Sequence, residues 1–159
     1  MAASTKRKSG AKPAKIPVEH NDLLNLVGYN MKRAYMRIYQ DFSDALKELD
    51  LRQRTFSVLS LVIENPGISQ SEVARTLGIE RSGTVVIVDE LERRDVIQRD
   101  KVPGDRRSYA LRPTSAGKGL YRKAVERIQK HEDKLMAGFS DAERQSLNQL
   151  LQRIHSLNT

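Results

Sequence analysis

Apolar side chains recur at steps of three and four residues along a segment that begins near Asn21. The stripe consists of Leu24, Val27, Met31, Ala34, Tyr35, Ile38, Phe42, Ala45 and Leu49. Steps of three and four place side chains on one face of an α-helix. The pattern therefore predicts a long amphipathic helix in this part of the chain.

The next two helices are marked by their end signals as much as by their apolar residues. In "LDLRQRTFSVLSLVIENPG" the apolar run stops at a Pro-Gly pair, which ends a helix. In "SQSEVARTLG", Ser69 stands three residues before Glu72, and Gly78 closes the segment. A serine and a glutamate at this spacing form a capping box. The pattern predicts a compact helix that ends at Gly78.

The segment after Gly78 is open to two interpretations. Residues 84–88 are β-branched throughout, which favours a strand. The run continues into "DELERR" without a turn signal, however, and Ile87, Val88 and Leu91 keep a helical phase. We predict a helix here.

A pair of strands and two more helices complete the pattern. "VIQRDK" and "SYALR" are strand-like runs on either side of "VPGDR", which carries the turn signals of a hairpin. Thr114 can then cap a long helix, and Ser140 with Glu143 forms a second capping box. The last helix carries Leu147, Leu150, Leu151, Ile154 and Leu157.

The order of elements predicts a mostly α fold with a small two-stranded β-wing. The first and last helices carry apolar stripes longer than the compact middle unit can cover. Because an uncovered stripe favours self-association, we predict a homodimer joined through the terminal helices. The competing interpretation is that the termini pack on each other within one chain. The predicted segments are a disordered basic arm at 1–18, an N-terminal dimerisation helix at 19–50, a winged helix-turn-helix domain at 51–113 and C-terminal dimerisation helices at 114–159.

The distribution of charge defines the basic arm. The net charge is +8, and five positive charges precede the first acidic residue, which leaves +3 for the rest of the chain. These five residues are Lys6, Arg7, Lys8, Lys12 and Lys15. The segment is also rich in Ala, Ser, Gly and Pro, a composition typical of disorder. Such an arm can follow a phosphate backbone or enter a minor groove, and a solubilising tail is the alternative.

Composition excludes several other classes. The chain has no cysteine, which excludes disulfides, thiolate catalysis and Cys-ligated zinc. His20, His131 and His155 are widely separated and lack metal-ligand spacing. No apolar run approaches the roughly 20 residues that cross a bilayer, and the first residues lack the apolar region of a signal peptide. We expect a soluble, cytoplasmic protein with no metal, cofactor or membrane partner.

The helix pair in "SQSEVARTLGIERSGTVVIVDELERR" predicts a nucleic-acid function. A short helix, a glycine-containing turn and a second helix are typical of the helix-turn-helix, whose second helix lies in the major groove of DNA. The hairpin that follows fits a β-wing, from which Arg106 or Arg107 can reach into a narrow minor groove while Asp105 orients the guanidinium. Taken alone, the hairpin is equally well interpreted as a solvated turn with incidental charge.

Four motifs together carry a family resemblance. They are "LGIERSG", "VDELERRDVIQR", the triplet Asp105-Arg106-Arg107 and, five residues later, "PTSAG". From about Leu23 to Leu157 the chain resembles the MarR family of winged-helix transcriptional regulators. The resemblance implies a homodimer with interlocked terminal helices, bound at the nucleoid to a pseudo-palindromic operator in double-stranded DNA. It also implies release by a small ligand, often an aromatic or phenolic one.

The resemblance also implies which residues lie near DNA. They are Gln70 and Ser71 near phosphates, Arg81, Ser82, Gly83, Val85 and Val86 on the recognition helix with Asp89 further along, and Asp105, Arg106 and Arg107 on the wing. Where relatives usually carry Ser-Thr-Val-Thr-Arg, this chain has "SGTVV", so valines replace the polar base-reading pair. Contact with thymine methyl groups is one substitute, and the wing can carry more of the specificity. Two further departures are Pro113, in place of a leucine, and Asp95, in place of a helix-ending glycine.

One group of residues is a candidate effector site. The family places its ligand between the dimer helices and the winged unit, and Tyr29, Arg33 and Arg37 are spaced by four on the helix predicted there. An aromatic ring beside two guanidiniums suits a planar anionic ligand, such as an aromatic acid or its CoA thioester. The alternative is a solvated basic helix face.

Other classes of function have less support. The chain lacks GxSxG, and Gly117-Lys118 lacks the upstream glycine of a P-loop, so we predict no catalytic residues and no enzyme. The predicted function is a ligand-responsive transcriptional regulator, a repressor in the simplest form. The alternative is a helical protein-interaction dimer without sequence-specific DNA binding.

Overall fold

The computed structural model describes residues 20–102 and 105–157, and it describes side chains for all of these except residues 102–108. The chain forms two compact units that divide between Ala34 and Tyr35, and each is described by itself. The predicted basic arm at 1–18 lies outside the described residues.

Seven helices and three strands make up the described ranges. They are α1 (Asn21–Leu24), α2 (Val27–Lys47), α3 (Gln53–Glu64), β1 (Ile68–Ser69), α4 (Gln70–Leu77), α5 (Arg81–Arg93), β2 (Ile97–Val102), β3 (Asp105–Pro113), α6 (Ser115–Leu135) and α7 (Asp141–His155). The mostly α fold with a β-wing is confirmed, and so is the helical interpretation of residues 84–88.

The N-terminal helix is interrupted where the apolar stripe predicts continuity. The break falls between α1 and α2, and the side-chain amide of Asn30 fills it by donating to the carbonyl oxygens of Leu24 at 2.7 Å and Leu26 at 3.2 Å. A side-chain donor can satisfy the carbonyl groups left free at a helix end, as capping requires. The stripe continues through the break, so hydrophobic periodicity alone could not reveal it.

The main core joins α3, α4, α5 and the sheet. Its fully buried members are Val58, Leu59, Val62, Val73, Val88, Leu91, Val96, Ile97 and Leu111. A second cluster, built on Leu46, Leu51 and Ala124, joins the end of α2 to α6. Phe56 on α3 contributes to it by stacking on Tyr121 of α6, with ring centroids 5.8 Å apart. The first cluster packs α5 against the sheet, and the second packs the end of α2 and part of α3 against α6.

The sheet has three antiparallel strands, in the order β1-β3-β2, where the sequence predicts two. Ile68 of β1 pairs with Leu111 of β3, and Ser69 pairs with Ala110. A strand of two residues is too short to show the alternation by which strands are predicted. The second wing strand is also longer than predicted, because β3 already begins at Asp105.

The predicted helix ends are confirmed. Ser69 with Glu72 and Ser140 with Glu143 form reciprocal capping boxes, and Thr114 caps α6 by accepting from the backbone N–H of Gly117. Gly78 ends α4 with φ +61°, a left-handed conformation that glycine adopts without strain. The boundaries of the four predicted segments remain predictions.

Apolar side chains remain exposed on the terminal helices of both units. In and just after α7, five have exposed fractions between 37% and 68%, namely Leu147, Leu150, Leu151, Ile154 and Leu157. In the N-terminal unit the corresponding residues are Leu23, Leu24, Leu26, Val27 and Met31. Among the residues described, no helix combines the length and apolar composition that a bilayer crossing requires.

Candidate functional site

The turn between α4 and α5 sets the geometry of the helix pair. The capping box at Ser69 begins α4, and only residues 78–80 separate α4 from α5. The backbone N–H of Ser69 and then its hydroxyl donate to the Glu72 carboxylate, at 2.9 and 2.8 Å, and thereby lower the pKa of Glu72. Arg75 adds a smaller electrostatic effect in the same direction. The second helix thus starts directly after a well-capped first helix, as in a helix-turn-helix.

One face of α5 is used for the core, and another is left at the surface. Thr84, Val88 and Leu91 are at most 1% exposed. The hydroxyl of Thr84 donates to the carbonyl of Glu80 at 3.2 Å, which keeps this polar group satisfied inside the protein. The predicted contact residues Arg81, Ser82, Val85, Val86 and Asp89 are exposed, and Gly83 is half-buried. A helix that is held from behind in this way can present its outer face to a groove.

Two predicted DNA contacts, Arg81 and Ser71, lie together. A guanidinium nitrogen of Arg81 donates to the hydroxyl of Ser71 at 3.0 Å, which connects the first turns of α5 and α4. Gln70 precedes Ser71 and faces the wing instead. With its amide oxygen turned towards Arg99, Gln70 accepts from Nη2 at 2.9 Å and from Nε at 3.0 Å.

Arg99 on β2 is a residue that the sequence does not single out. Its guanidinium also forms ion pairs with Asp89 and Glu92 of α5, and its side chain is only 17% exposed. One largely buried cation therefore joins the wing, the start of α4 and the recognition helix. It also compensates two carboxylates on a surface that is expected to meet phosphates. Asp89 and Glu92 are three residues apart and share one helix face, and this acidic pair could have suggested from the sequence that a cation lies between them.

The three predicted wing residues are described only by their backbone. Asp105, Arg106 and Arg107 begin β3, and Asp105 pairs with Val102 of β2. Their side chains lie outside the described residues, so their contacts with DNA remain predictions.

Asp95 and Pro113, which depart from the family pattern, lie just after the end of α5 and at the end of β3. Asp95 adopts the left-handed conformation, with φ +53°, that a glycine would take at a helix end. Aspartate tolerates this conformation better than most residues, because its short polar side chain can bond locally. Pro113 pairs with Ile97 at the end of β3.

A cavity of about 710 Å³ lies beside α5 and borders part of its exposed face. Its wall includes the rings of Tyr35 and Tyr39, whose centroids are 5.7 Å apart, and the exposed guanidinium side chains of Arg52 and Arg54. The recognition helix contributes Gly83, Val86, Ile87 and Glu90 to the lining of the same cavity. Two aromatic rings beside two cations suit a planar ligand that carries negative charge.

The predicted effector group is divided between the two units. In the N-terminal unit, the Arg33 guanidinium lies 5.7 Å from the centre of the Tyr29 ring and bonds to His20 Nε2 at 3.2 Å. Arg37 belongs to the other unit and is exposed. The structure thus pairs Tyr29 with Arg33, whereas the cavity has its own tyrosines and arginines. Within residues 20–102 and 105–157, no three His, Asp or Glu side chains gather into a metal site.

A family model matches the middle of this chain, and individual solved structures match nearly all of it. Residues 49–108, which span α3 to the first part of β3, match the model of the MarR family. A solved structure described as the transcriptional repressor CouR bound to a 23-mer DNA duplex is 35% identical, with a TM-score of 0.84, over 88% of this chain and 99% of that one. Identity at this level over nearly the whole of both chains decides the family.

The chain belongs to the MarR family.

Two further relatives extend the comparison within the MarR family. CouR bound to p-coumaroyl-CoA is 32% identical to this chain, with a TM-score of 0.78, over 89% of this chain and 100% of that one. A protein from Thauera aromatica that is named as a transcriptional regulator of the hcr operon is 29% identical over 94% of this chain and 92% of its own length. MarR-family proteins are transcriptional regulators and not enzymes, which agrees with the prediction from sequence.

Proposed function

We propose that this MarR-family protein is a homodimeric repressor that binds a pseudo-palindromic operator and is released by an aromatic effector that carries negative charge. The observation that carries the proposal is that α5 has one face buried in the core and another exposed to solvent. Its inner residues complete the core, while Arg81, Ser82, Val85 and Val86 remain at the surface. A protein of this kind acts at the nucleoid.

The exposed apolar residues of the terminal helices support the homodimer. Exposed apolar surface on a helix marks an interaction site, and a two-fold dimer buries the same surface on both copies. A two-fold dimer can also present two recognition helices about 34 Å apart, the distance between successive major grooves on one side of DNA. The operator would then repeat the protein's symmetry.

The cavity beside α5 supports an effector of the aromatic acyl-CoA type. Tyr35 and Tyr39 offer faces for a planar ring, and Arg52 and Arg54 offer charge for carboxylate or phosphate groups. The relative CouR has been solved with p-coumaroyl-CoA bound, and this ligand combines an aromatic ring with negatively charged phosphates. An aromatic acid would use the rings and one cation, whereas its CoA thioester would use the rings and several phosphates.

DNA titration tests the operator. A duplex selected from random sequence by the full chain should bind more tightly than a scrambled duplex of the same composition, and affinity should fall steeply with salt because counterions are released. Replacing Arg106 and Arg107 together by Ala should reduce the salt slope by about one for each phosphate that the protein no longer neutralises. Equal affinity for selected and scrambled duplexes would favour the alternative, a helical interaction dimer without sequence-specific DNA binding.

Ligand titration tests the effector and separates its two candidate locations. p-Coumaroyl-CoA, p-coumarate and CoA are added to the preformed operator complex, and release is followed by fluorescence anisotropy. Arg52→Ala and Arg54→Ala should raise the ligand concentration needed for release, while operator affinity without ligand stays unchanged. Arg33→Ala tests the predicted group of Tyr29, Arg33 and Arg37 in the same way. Arg122→Ala, an exposed arginine on α6, serves as the control.

If Arg33→Ala desensitises the protein and both cavity variants do not, the effector binds at the predicted N-terminal group and not in the cavity. If no variant changes release, neither location is the effector site.

A further inference from the structure

Two adjacent valines form the most exposed apolar surface of the recognition helix. Val85 is 42% exposed and Val86 is 64% exposed, whereas Thr84 just before them and Val88 two residues after them are buried. β-Branched residues are weaker helix formers than alanine, and an exposed valine gains little packing in return. Neither helix propensity nor packing within the protein accounts for Val85, and Val86 stays mostly exposed although it borders the cavity.

The polar neighbours of this pair are already engaged within the protein. Arg81, one turn before Val85, donates to Ser71 at 3.0 Å. Asp89, one turn after Val85, is held by Arg99. Val85 therefore lies between polar groups that position the helix against α4 and the wing, and Val86 lies beside it at the edge of the cavity.

The major groove offers one apolar feature that a valine can recognise. Each base pair shows a pattern of donors and acceptors there, and thymine alone adds a methyl group at C5. A valine pressed against a G·C pair would cover acceptors or an amino group without giving them a partner, and this loss of hydration is unfavourable. Against a thymine it covers a methyl group, which gains from leaving water.

We propose that Val85 and Val86 are specificity-determining residues that read thymine methyl groups near the centre of each operator half-site. The inference rests on the proposed function as a DNA-binding regulator and adds the chemistry of its base recognition. It follows that the selected operator carries A·T pairs where the middle of α5 enters the groove.

The test replaces thymine by deoxyuridine, which removes the methyl group and keeps the base pair. Single thymines of the selected duplex are replaced in turn, and dissociation constants are measured without effector because Val86 also borders the cavity. Removing one contacted methyl should weaken binding about fourfold, which corresponds to about 0.8 kcal/mol. Replacing thymines in the flanking sequence controls for changes in DNA flexibility.

Protein variants assign the effect to particular side chains. Val85→Ala and Val86→Ala should bind the thymine duplex more weakly and lose most of the fourfold discrimination against the deoxyuridine duplex. Arg122→Ala, an exposed position on α6, should retain it. Thermal unfolding should show both valine variants folded, since alanine is the better helix former.

The outcomes separate this inference from the proposed function. If the wild-type protein prefers its selected duplex but no deoxyuridine substitution in a half-site changes affinity, the thymine-methyl proposal is wrong and the DNA-binding function stands. If discrimination persists in both valine variants, other residues read the methyl groups and the proposal is also wrong. If no duplex is preferred, the proposed function itself fails.

Discussion

The contact between Gly117 and Val96 allows a prediction that isolates a single steric clash. At the junction of wing and α6, the hydroxyl of Thr114 bonds to the carbonyl oxygen of Asp95 at 2.6 Å, and the N–H of Gly117 bonds to that hydroxyl at 3.0 Å. A Cβ placed on Gly117 would lie 2.0 Å from the carbonyl oxygen of Val96 and 3.0 Å from its carbonyl carbon. Two residues later in the same helix, a Cβ on Gly119 would meet nothing within 4 Å.

The two glycines therefore form a matched pair. Glycine-to-alanine replacement in a helix stabilises by about 1 kcal/mol when there is room for the methyl group. At Gly117 the obstacle is backbone, which must move by about 1 Å or more to reach an ordinary contact distance, and overpacking of this kind costs about 1–3 kcal/mol. With the upper end of that range, Gly117→Ala should lose about 2 kcal/mol net, and Gly119→Ala should gain up to about 1 kcal/mol.

Equilibrium unfolding in urea measures the difference. Both variants and the wild type are compared at one protomer concentration, because dimerisation would make apparent stability depend on concentration. The two alanine variants should differ by about 3 kcal/mol in the free energy of unfolding, since intrinsic helix preference cancels between them. Equal stability of Gly117→Ala and Gly119→Ala would refute the view that α6 is locked against the start of the wing.

Three further predictions concern charge and assembly. Arg99→Gln should lower the free energy of unfolding by about 1 kcal/mol and weaken operator binding, because Asp89 and Glu92 lose their shared cation. Arg112→Gln removes a more exposed ion pair on the sheet, so its effects on stability and on operator binding should both be smaller. Hydrogen bonds from Ser69 lower the pKa of Glu72 from 4.5, so the ionised carboxylate contributes stability above pH 4.5 that is lost as pH falls through the lowered pKa. Glu72→Gln should therefore flatten the decline in the free energy of unfolding below pH 4.5. An unchanged decline would contradict a stabilising role for the Glu72 carboxylate. Leu151→Asp should shift the solution mass measured by light scattering from two chains to one at micromolar concentration, whereas Gln152→Asp should not.

Local chemistry made much of the fold predictable. The helix caps formed by Ser69 with Glu72, by Ser140 with Glu143 and by Gly78 involve hydrogen bonds between residues at most four positions apart. The sequence spacing of these residues is therefore enough to predict the caps. The helical phase from residue 84 to Leu91 likewise prevailed over β propensity, because that phase buries Thr84, Val88 and Leu91 against the core. In each of these cases the partner is nearby along the chain.

The missed features depend on partners that are distant along the chain or on elements too short to show a period. β1 exists because Ile68 and Ser69 meet β3 more than 40 residues later. Arg99 is one charge among many in the sequence until folding brings Gln70, Asp89 and Glu92 around it. The cavity draws Tyr35, Arg54 and Gly83 from three different helices, so no single helix face could reveal it.

Three faces of α5 bring the core, the cavity and the reading surface onto one helix. Thr84 and Val88 anchor it, and Gly83 and Ile87 border the cavity. Val85 lies on the reading surface, and the neighbouring Val86 borders both that surface and the cavity. A ligand in the cavity and DNA on the outer face would then both contact α5, so no other structural element is needed to couple the two sites. The ligand can release the operator only in proportion to its preference for the conformation that DNA does not bind. By linkage, operator DNA must weaken ligand binding by the same factor by which the ligand weakens DNA binding. If the proposed function is correct, α5 is thus both the reader of the operator and the element through which the effector is sensed.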